Sequence, residues 1–599
     1  MDGTKRSSIH SSDEKATGYP EEEKHTSNVY YEGEETVESI DKKSYDRHLD
    51  TTNELSGADV VEYNYDIQKT DDQDDEDKPS WFSKIYQRFR KFFLIAMWLI
   101  FTGFLSAAFA LQVPKGYNQE NLILGLIYAW HTIYVFFCFV PTTVVTKPWM
   151  FLVRTAYAPI RGFSSTTRSL MYGALVVTAI VVTVFSLPET EQSSRVQRLI
   201  AFVGMIFFVI SSFASSTNHR AVNWNTVCGA LLLQFLLALF VFRSSAGHDI
   251  FNWISNFAKG YLGKASEGAA FLVGADIVAK GFFAISVFPA VIFFAATVQI
   301  LYYIGALQWI LAKSAPLFVG LLDISGCEAI VAVASPFLGQ SENVLLIKPF
   351  LAHLTDAEIH QVMTSGFSTI SGSVLYGYLA MGVDGTALIS SCVMSIPCSI
   401  AISKLRYPEV EEPLTKGKVR VPKSEEKLEG IVHAAGVGAA TGIQIVLLIA
   451  ANLIALLALL YAVNAGLTWI GNFITIQNLT LQLITGYILV PVAWLIGADN
   501  KDLVNVGQLI ATKLWANEFV AYQDMMAIVK QGGLSQRSIS VTTYALCGFS
   551  NLGSIGMQVG VLTALAPKKA RKIANLAVSA MICGAISTFV SASIAGMLF

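Results

Sequence analysis

The stretch SGCEAIVAVASPFLGQSENVLLIKPF, residues 325–350, is too apolar for a surface loop and too interrupted for one clean membrane span. An apolar run, 329–338, is broken by Ser335 and Pro336. The polar sequence Gly339-Gln340-Ser341-Glu342-Asn343 follows, then a second apolar run, 344–347. Two half-spans meeting at a polar tip predict a re-entrant helical hairpin. Such backbone is tolerated at membrane depth only where protein buries it or it lines a water-filled cavity. A carboxylate there is expensive, which makes Glu342 a functional candidate.

The rest of the chain supports a membrane setting. It is 53% hydrophobic and 15% charged over 599 residues, with a mean hydropathy of +0.49, the profile of a polytopic membrane protein. About half of all Asp and Glu precede Lys78, so 1–80 reads as a disordered acidic tail. The first ten residues hold no apolar stretch of the signal-peptide kind. Lys84, Arg88, Arg90 and Lys91 before the first span, 92–111, predict a cytoplasmic N-terminus. Further spans are expected at 122–140, 170–187, 199–215 and 227–242, with a basic inner loop at 142–168. An amphipathic interfacial helix is expected at 247–264, a span at 281–304 and a tilted helix at 307–322. The organisation is then 1–80 tail; 81–245 extra N-terminal helices; 246–324 interfacial and scaffold helices; and 325–403 a first repeat of hairpin and broken helix. It continues with 404–466, a basic cytoplasmic loop and scaffold helix; 467–565, a second repeat; and 566–599, a final span ending outside. The second hairpin is expected over 481–519, broken at Gly497-Ala498-Asp499-Asn500-Lys501. Asn478-Leu479-Thr480 is a glycosylation sequon. The seven cysteines have neither metal-ligand spacing nor a disulfide framework.

The two halves echo each other. Glu342 is followed by Gly366-Phe367-Ser368-Thr369-Ile370, and Glu518 by Gly548-Phe549-Ser550-Asn551-Leu552. The charge rule gives the two hairpins opposite orientations. Paired interrupted helices in inverted repeats point to a substrate site near the bilayer midplane. Gln340, Ser341, Glu342, Thr369, Glu518, Asn551 and Ser554 offer hydrogen bonds without an Arg or Lys fork for phosphate, which suits a neutral polar ligand. Phe367 and Phe549 are candidates to stack on a planar ring, with core packing the commoner fate of a buried Phe. Buried carboxylates imply a coupling cation, a proton or sodium. No nucleotide-hydrolysing motif, no nucleic-acid footprint and no metal or catalytic constellation is present, so neither an ATP-driven pump nor an enzyme is expected; a passive channel is the different-class alternative.

Through Gly339–Asn343, Asn517-Glu518-Phe519 and Gly548–Gly556 the chain resembles the concentrative nucleoside transporters, over roughly 250–599, and as a whole resembles a fungal member. The resemblance implies an all-α membrane protein with two re-entrant hairpins and two broken helices. It implies a homotrimer in the plasma membrane, a scaffold with a mobile transport domain, and elevator-type symport of nucleosides such as uridine and adenosine, with no bound cofactor. By position it assigns Gln340, Ser341, Glu342 and Val374 to the base; Glu518, Asn551 and Ser554 to the ribose; and Phe549 to the pocket wall. Ser335 stands where sodium-coupled members usually carry Asn. Leu338, Thr369 and Ile370 leave a reduced oxygen set, so proton coupling through Glu342 is the expectation and sodium the alternative.

Overall fold

The computed structural model describes residues 81–112, 124–125, 127–129, 131–133, 135–136, 164–190, 193–416 and 428–599. The acidic tail, most of the basic loop 142–168 and residues 417–427 lie outside them. The described residues are helical, with only isolated bridges at Thr190–Ser193 and Ser325–Lys416. Among the described residues, eight helical segments are long and apolar enough to cross a membrane.

The first of these are α1 (Trp81–Gln112), α2 (Ser165–Ser186), α3 (Arg195–Ala214) and α4 (Trp224–Arg243). The described residues between 124 and 136 are helical, as expected. The amphipathic stretch forms α5 (Ser245–Gly263), which buries Phe251 and Leu262 and exposes Trp253 and Phe257. Two short helices, α6 (Ala265–Val273) and α7 (Ala275–Ala279), follow with no sequence expectation behind them. Then come α8 (Phe283–Tyr303) and α9 (Ala306–Leu322).

The first repeat contains half-helices α10 (Gly326–Ala334) and α11 (Gln340–Leu345), then α12 (Asp356–Ser368) and α13 (Gly372–Met381). It closes with α14 (Gly385–Arg406). The 43-residue α15 (Ile431–Phe473) packs along α8. At 1.5 Å per residue it is about 65 Å long, roughly twice the thickness of a hydrocarbon core. The second repeat contains α16 (Leu481–Ile488), α17 (Val490–Leu495), α18 (Leu503–Trp515) and α19 (Glu518–Lys530). It continues through α20 (Gln536–Leu546), α21 (Leu552–Leu565) and α22 (Ala570–Leu598). Helices α14 and α15 overrun the expected boundaries at 403 and 466.

Three sequence expectations are corrected. The second hairpin turns at Ala516–Asn517, between α18 and α19; Gly497 (φ 89°) and its polar neighbours form the turn that leads into α18. Glu342 is on the first turn of α11 rather than at the tip, which is 335–339. Lys404 belongs to α14 and is buried, not part of a solvated loop. Its Nζ pairs with Glu328 at 2.6 Å and Glu409 at 3.3 Å. Removing one partner of such a buried pair strands a charge, at a cost of about 3–5 kcal/mol.

The ends of α22 orient the two repeats. Near its start, Lys572 Nζ reaches Asp356 Oδ1 of α12 at 2.9 Å. At that same end Glu409 accepts from Thr355 and pairs with Lys404, while Lys404 holds Glu328 of α10. Near the far end of α22, Arg537 of α20 donates to Gly596 O at 2.6 Å, and Asp502, preceding α18, accepts from Ser535 N at 2.9 Å. The hairpins are therefore rooted at opposite ends of one helix about 43 Å long. Both helix breaks meet its middle: Phe367 packs on Gly584, and Gly548 packs beside Thr588.

Candidate functional site

A broken helix exposes polar backbone ends, and the local sequence supplies their partners. In the first repeat Ser335 caps the end of α10, and its Oγ donates to Val331 O at 2.7 Å. Asn343 Nδ2 donates to that same Oγ at 2.9 Å, and Thr369 Oγ1 donates to Ser335 O at 3.3 Å. Glu342 Oε2 accepts from Gly339 N at 2.9 Å, the carboxylate half of a capping box. Gln340 is buried with its Oε1 unpartnered, as is Asn343 Oδ1; Ser341 and Glu342 are half-buried. Leu338, Ile370 and Val374 are buried, with Val374 one turn into α13.

In the second repeat the carboxylate is held differently. Glu518 opens α19 and is 2% exposed. Tyr378 Oη of α13 donates to its Oε1 at 3.0 Å, and Asn551 Nδ2 donates to its Oε2 at 3.0 Å. Asn551 also N-caps α21 through Ser554 N at 2.8 Å, fixing its amide between helix and carboxylate. Ser554 is buried beside it.

The two breaks are bonded to each other: Phe549 N donates to Thr369 O at 3.3 Å. A Cβ at Gly548 would lie 2.9 Å from Phe367 O, so this crossing needs the missing side chain. Helix α11 packs on α12 and α21, and α13 packs on α19. The structure thus brings Ser335 to Thr369, and Asn551 to both Glu518 and Ser554, and it joins both sets where the breaks cross. Phe549 is half-buried against the core. Phe367 is fully buried against α22 and serves packing, the commoner of the two fates open to it.

Four side chains escaped the sequence reading. Tyr378 sits in a run that reads as span, and Asn343 lies in the hairpin-tip motif with no role assigned to it. Lys513 of α18 is fully buried and donates to Ala545 O at 2.8 Å and Thr588 Oγ1 at 3.2 Å. It places an ammonium in the second repeat, whose charge balance the sequence had assigned to a coupling ion alone. Gln558 lies seven residues after Asn551, on the helical face shared with Ser554, and that spacing was the available signal. His360 is buried between Ser403 Oγ (2.8 Å) and Ser579 Oγ (3.0 Å).

Comparison with known proteins bears on the whole arrangement. Residues 203–276 match the family model described as the N-terminus of the Na+ dependent nucleoside transporters, and 387–596 match the model of their C-terminus. Residues 284–384 match a model described as nucleoside recognition. Sodium/nucleoside cotransporter 1 of Mus musculus is 39% identical over 422 residues, covering 68% of this chain and 65% of that one. Solute carrier family 28 member 3 of Rattus norvegicus is 39% identical over 415 residues, covering 67% and 59%. The chain thus spans 65% and 59% of these relatives' lengths, less than two thirds of either. The solved structure of CNTnw in an inward-facing substrate-bound state superposes with a TM-score of 0.63 at 33% identity, over 67% of this chain and 97% of that one. A variant of CNTnw in an outward-facing state gives a TM-score of 0.64 at 33% identity, over 68% of this chain and 99% of that one.

Proposed function

This chain belongs to the concentrative nucleoside transporter family, and from that premise we propose that it is a cation-coupled nucleoside symporter of the plasma membrane, not an enzyme. The observation that carries the reading is the group of buried hydrogen-bonding side chains, Gln340, Glu518, Asn551 and Ser554, where two helix breaks cross halfway along α22. It offers donors and acceptors for a base edge and for vicinal hydroxyls. Gln340, Ser341, Glu342 and Val374 take the base. Glu518, Asn551 and Ser554 take the ribose, and Phe549 closes the pocket. The hairpins and broken helices move as the carrier of an elevator against a scaffold that includes α8 and α15, in a homotrimer. The matched structures, one inward-facing and one outward-facing, support alternating access over a passive channel.

The coupling ion is a proton carried by Glu342. Ser335 Oγ is already engaged by Val331 O and by the Asn343 amide N–H, so it offers a cation a donor-capped hydroxyl in place of an open oxygen. Sodium is the second reading. Asn343 Oδ1 is buried and unpartnered, and a turned amide would bring an oxygen to Ser335; the Mus musculus relative is named a sodium/nucleoside cotransporter. The deciding experiment is uptake of labelled uridine and adenosine into transporter-deficient cells, with pH and sodium varied independently. Accumulation driven by low external pH without sodium is expected. Accumulation that needs sodium and ignores pH transfers coupling to the second reading, and absence of uptake by surface-exposed protein removes the nucleoside assignment.

A further inference from the structure

One buried side chain at this crossing has no partner in the fold. Gln558 of α21 is 0% exposed, and neither its Nε2 nor its Oε1 has a hydrogen-bond partner. A buried amide left unpaired on both atoms is costly, and natural proteins rarely keep one without a reason. Its surroundings supply the reason. A Cβ built on Gly366 would lie 2.9 Å from Gln558 Nε2 and 3.0 Å from Gln340 Cβ. Gly366 is thus the gap across which Gln340 and Gln558 approach each other, and Gln340 also carries an unpartnered Oε1. Along α21, Asn551, Ser554 and Gln558 follow at helical spacing on one face, and α21 packs against α11. The carboxylate-bound end of that face is Asn551, on Glu518; the unpaired end is Gln558, beside Gln340.

We infer that Gln558 is a second base-reading residue, working with Gln340 to hydrogen-bond the polar edge of the nucleobase. This rests on the nucleoside reading of the site. A primary amide presents a donor and an acceptor side by side, and so do the edges of uracil, cytosine and adenine. By turning its amide, Gln558 matches bases of either polarity, which gives breadth of substrate rather than selection among bases.

The test uses the full-length chain in transporter-deficient cells, with surface amount measured. Uptake of uridine is compared with that of its 4-deoxy analogue, 1-β-D-ribofuranosyl-2-pyrimidinone, which has no O4 and no N3–H. Replacing Gln558→Met keeps volume and removes both polar atoms. The expected result is a rise of about tenfold in KM for uridine with a change of less than about threefold for the analogue. An equal change for both, or none for either, overturns the inference. If the Met variant fails to reach the surface, Gln558→Asn decides. It draws the amide back by one methylene, so the preference for uridine over the 4-deoxy analogue should fall by about threefold or more, and an unmoved ratio overturns the inference. A wild-type protein that takes up neither nucleoside fails at the earlier step and removes the nucleoside reading itself.

Discussion

Glu342 and Glu518 occupy comparable places, each on the first turn of the half-helix that leaves a hairpin junction, yet they are held in opposite ways. Glu342 turns back on its own helix: one oxygen takes Gly339 N, and the side chain stays half-buried. Glu518 reaches outward and is fully enclosed, with its oxygens taken by Tyr378 of the first repeat and Asn551 of the second. A locally capped carboxylate can change its protonation state without unmaking contacts between elements. One tied to two other helices cannot. On the proposed function, Glu342 is therefore the carboxylate suited to coupling and Glu518 the one suited to holding the ribose.

The sharpest way to break this contrast is Glu518→Gln. Hydrogen bonds to a charged group contribute about 1.5–3 kcal/mol each, so uptake of ribonucleosides should fall by about 10- to 100-fold or more. The loss should be smaller for 2′,3′-dideoxy analogues, and an equal loss for both would remove the ribose assignment. Glu342→Gln should lower uptake about tenfold and flatten its dependence on external pH; a variant that keeps the wild-type pH profile would acquit Glu342 as proton carrier. Tyr378→Phe is the gentlest probe. It deletes one of the two ties on Glu518 and should raise KM by about five- to tenfold, with pH dependence unchanged. A shifted pH profile in Tyr378→Phe would show that the two carboxylates are less separate than the geometry implies.

The same asymmetry explains what was readable from sequence. The first hairpin was legible because Ser335, Pro336 and Gly339 interrupt an apolar run. Its counterpart was misplaced because Gly497-Ala498-Asp499-Asn500-Lys501 is the stronger turn signal, whereas the true junction is made by Ala516 and by Asn517, whose side chain caps Val520 N. The two Gly-Phe-Ser triplets mark both broken helices but are not equivalent. Gly366–Ser368 is the last turn of α12, while Gly548–Ser550 lies in the break before α21. The sequence likeness located the site although its register was off by half a break. Lys513, Tyr378 and Gln558 stayed hidden because a single polar residue in an apolar helix reads as a packing position until its neighbours are known.

The bond from Phe549 N to Thr369 O also bears on how the protein is made. The break in the first repeat leaves a carbonyl whose partner lies roughly 180 residues further along the chain. At about 5–20 residues per second, the ribosome needs roughly ten to forty seconds to supply it. For that interval the nascent first repeat holds an open polar junction inside the membrane. Its biogenesis has to keep that junction hydrated or chaperoned until the second half arrives to close it.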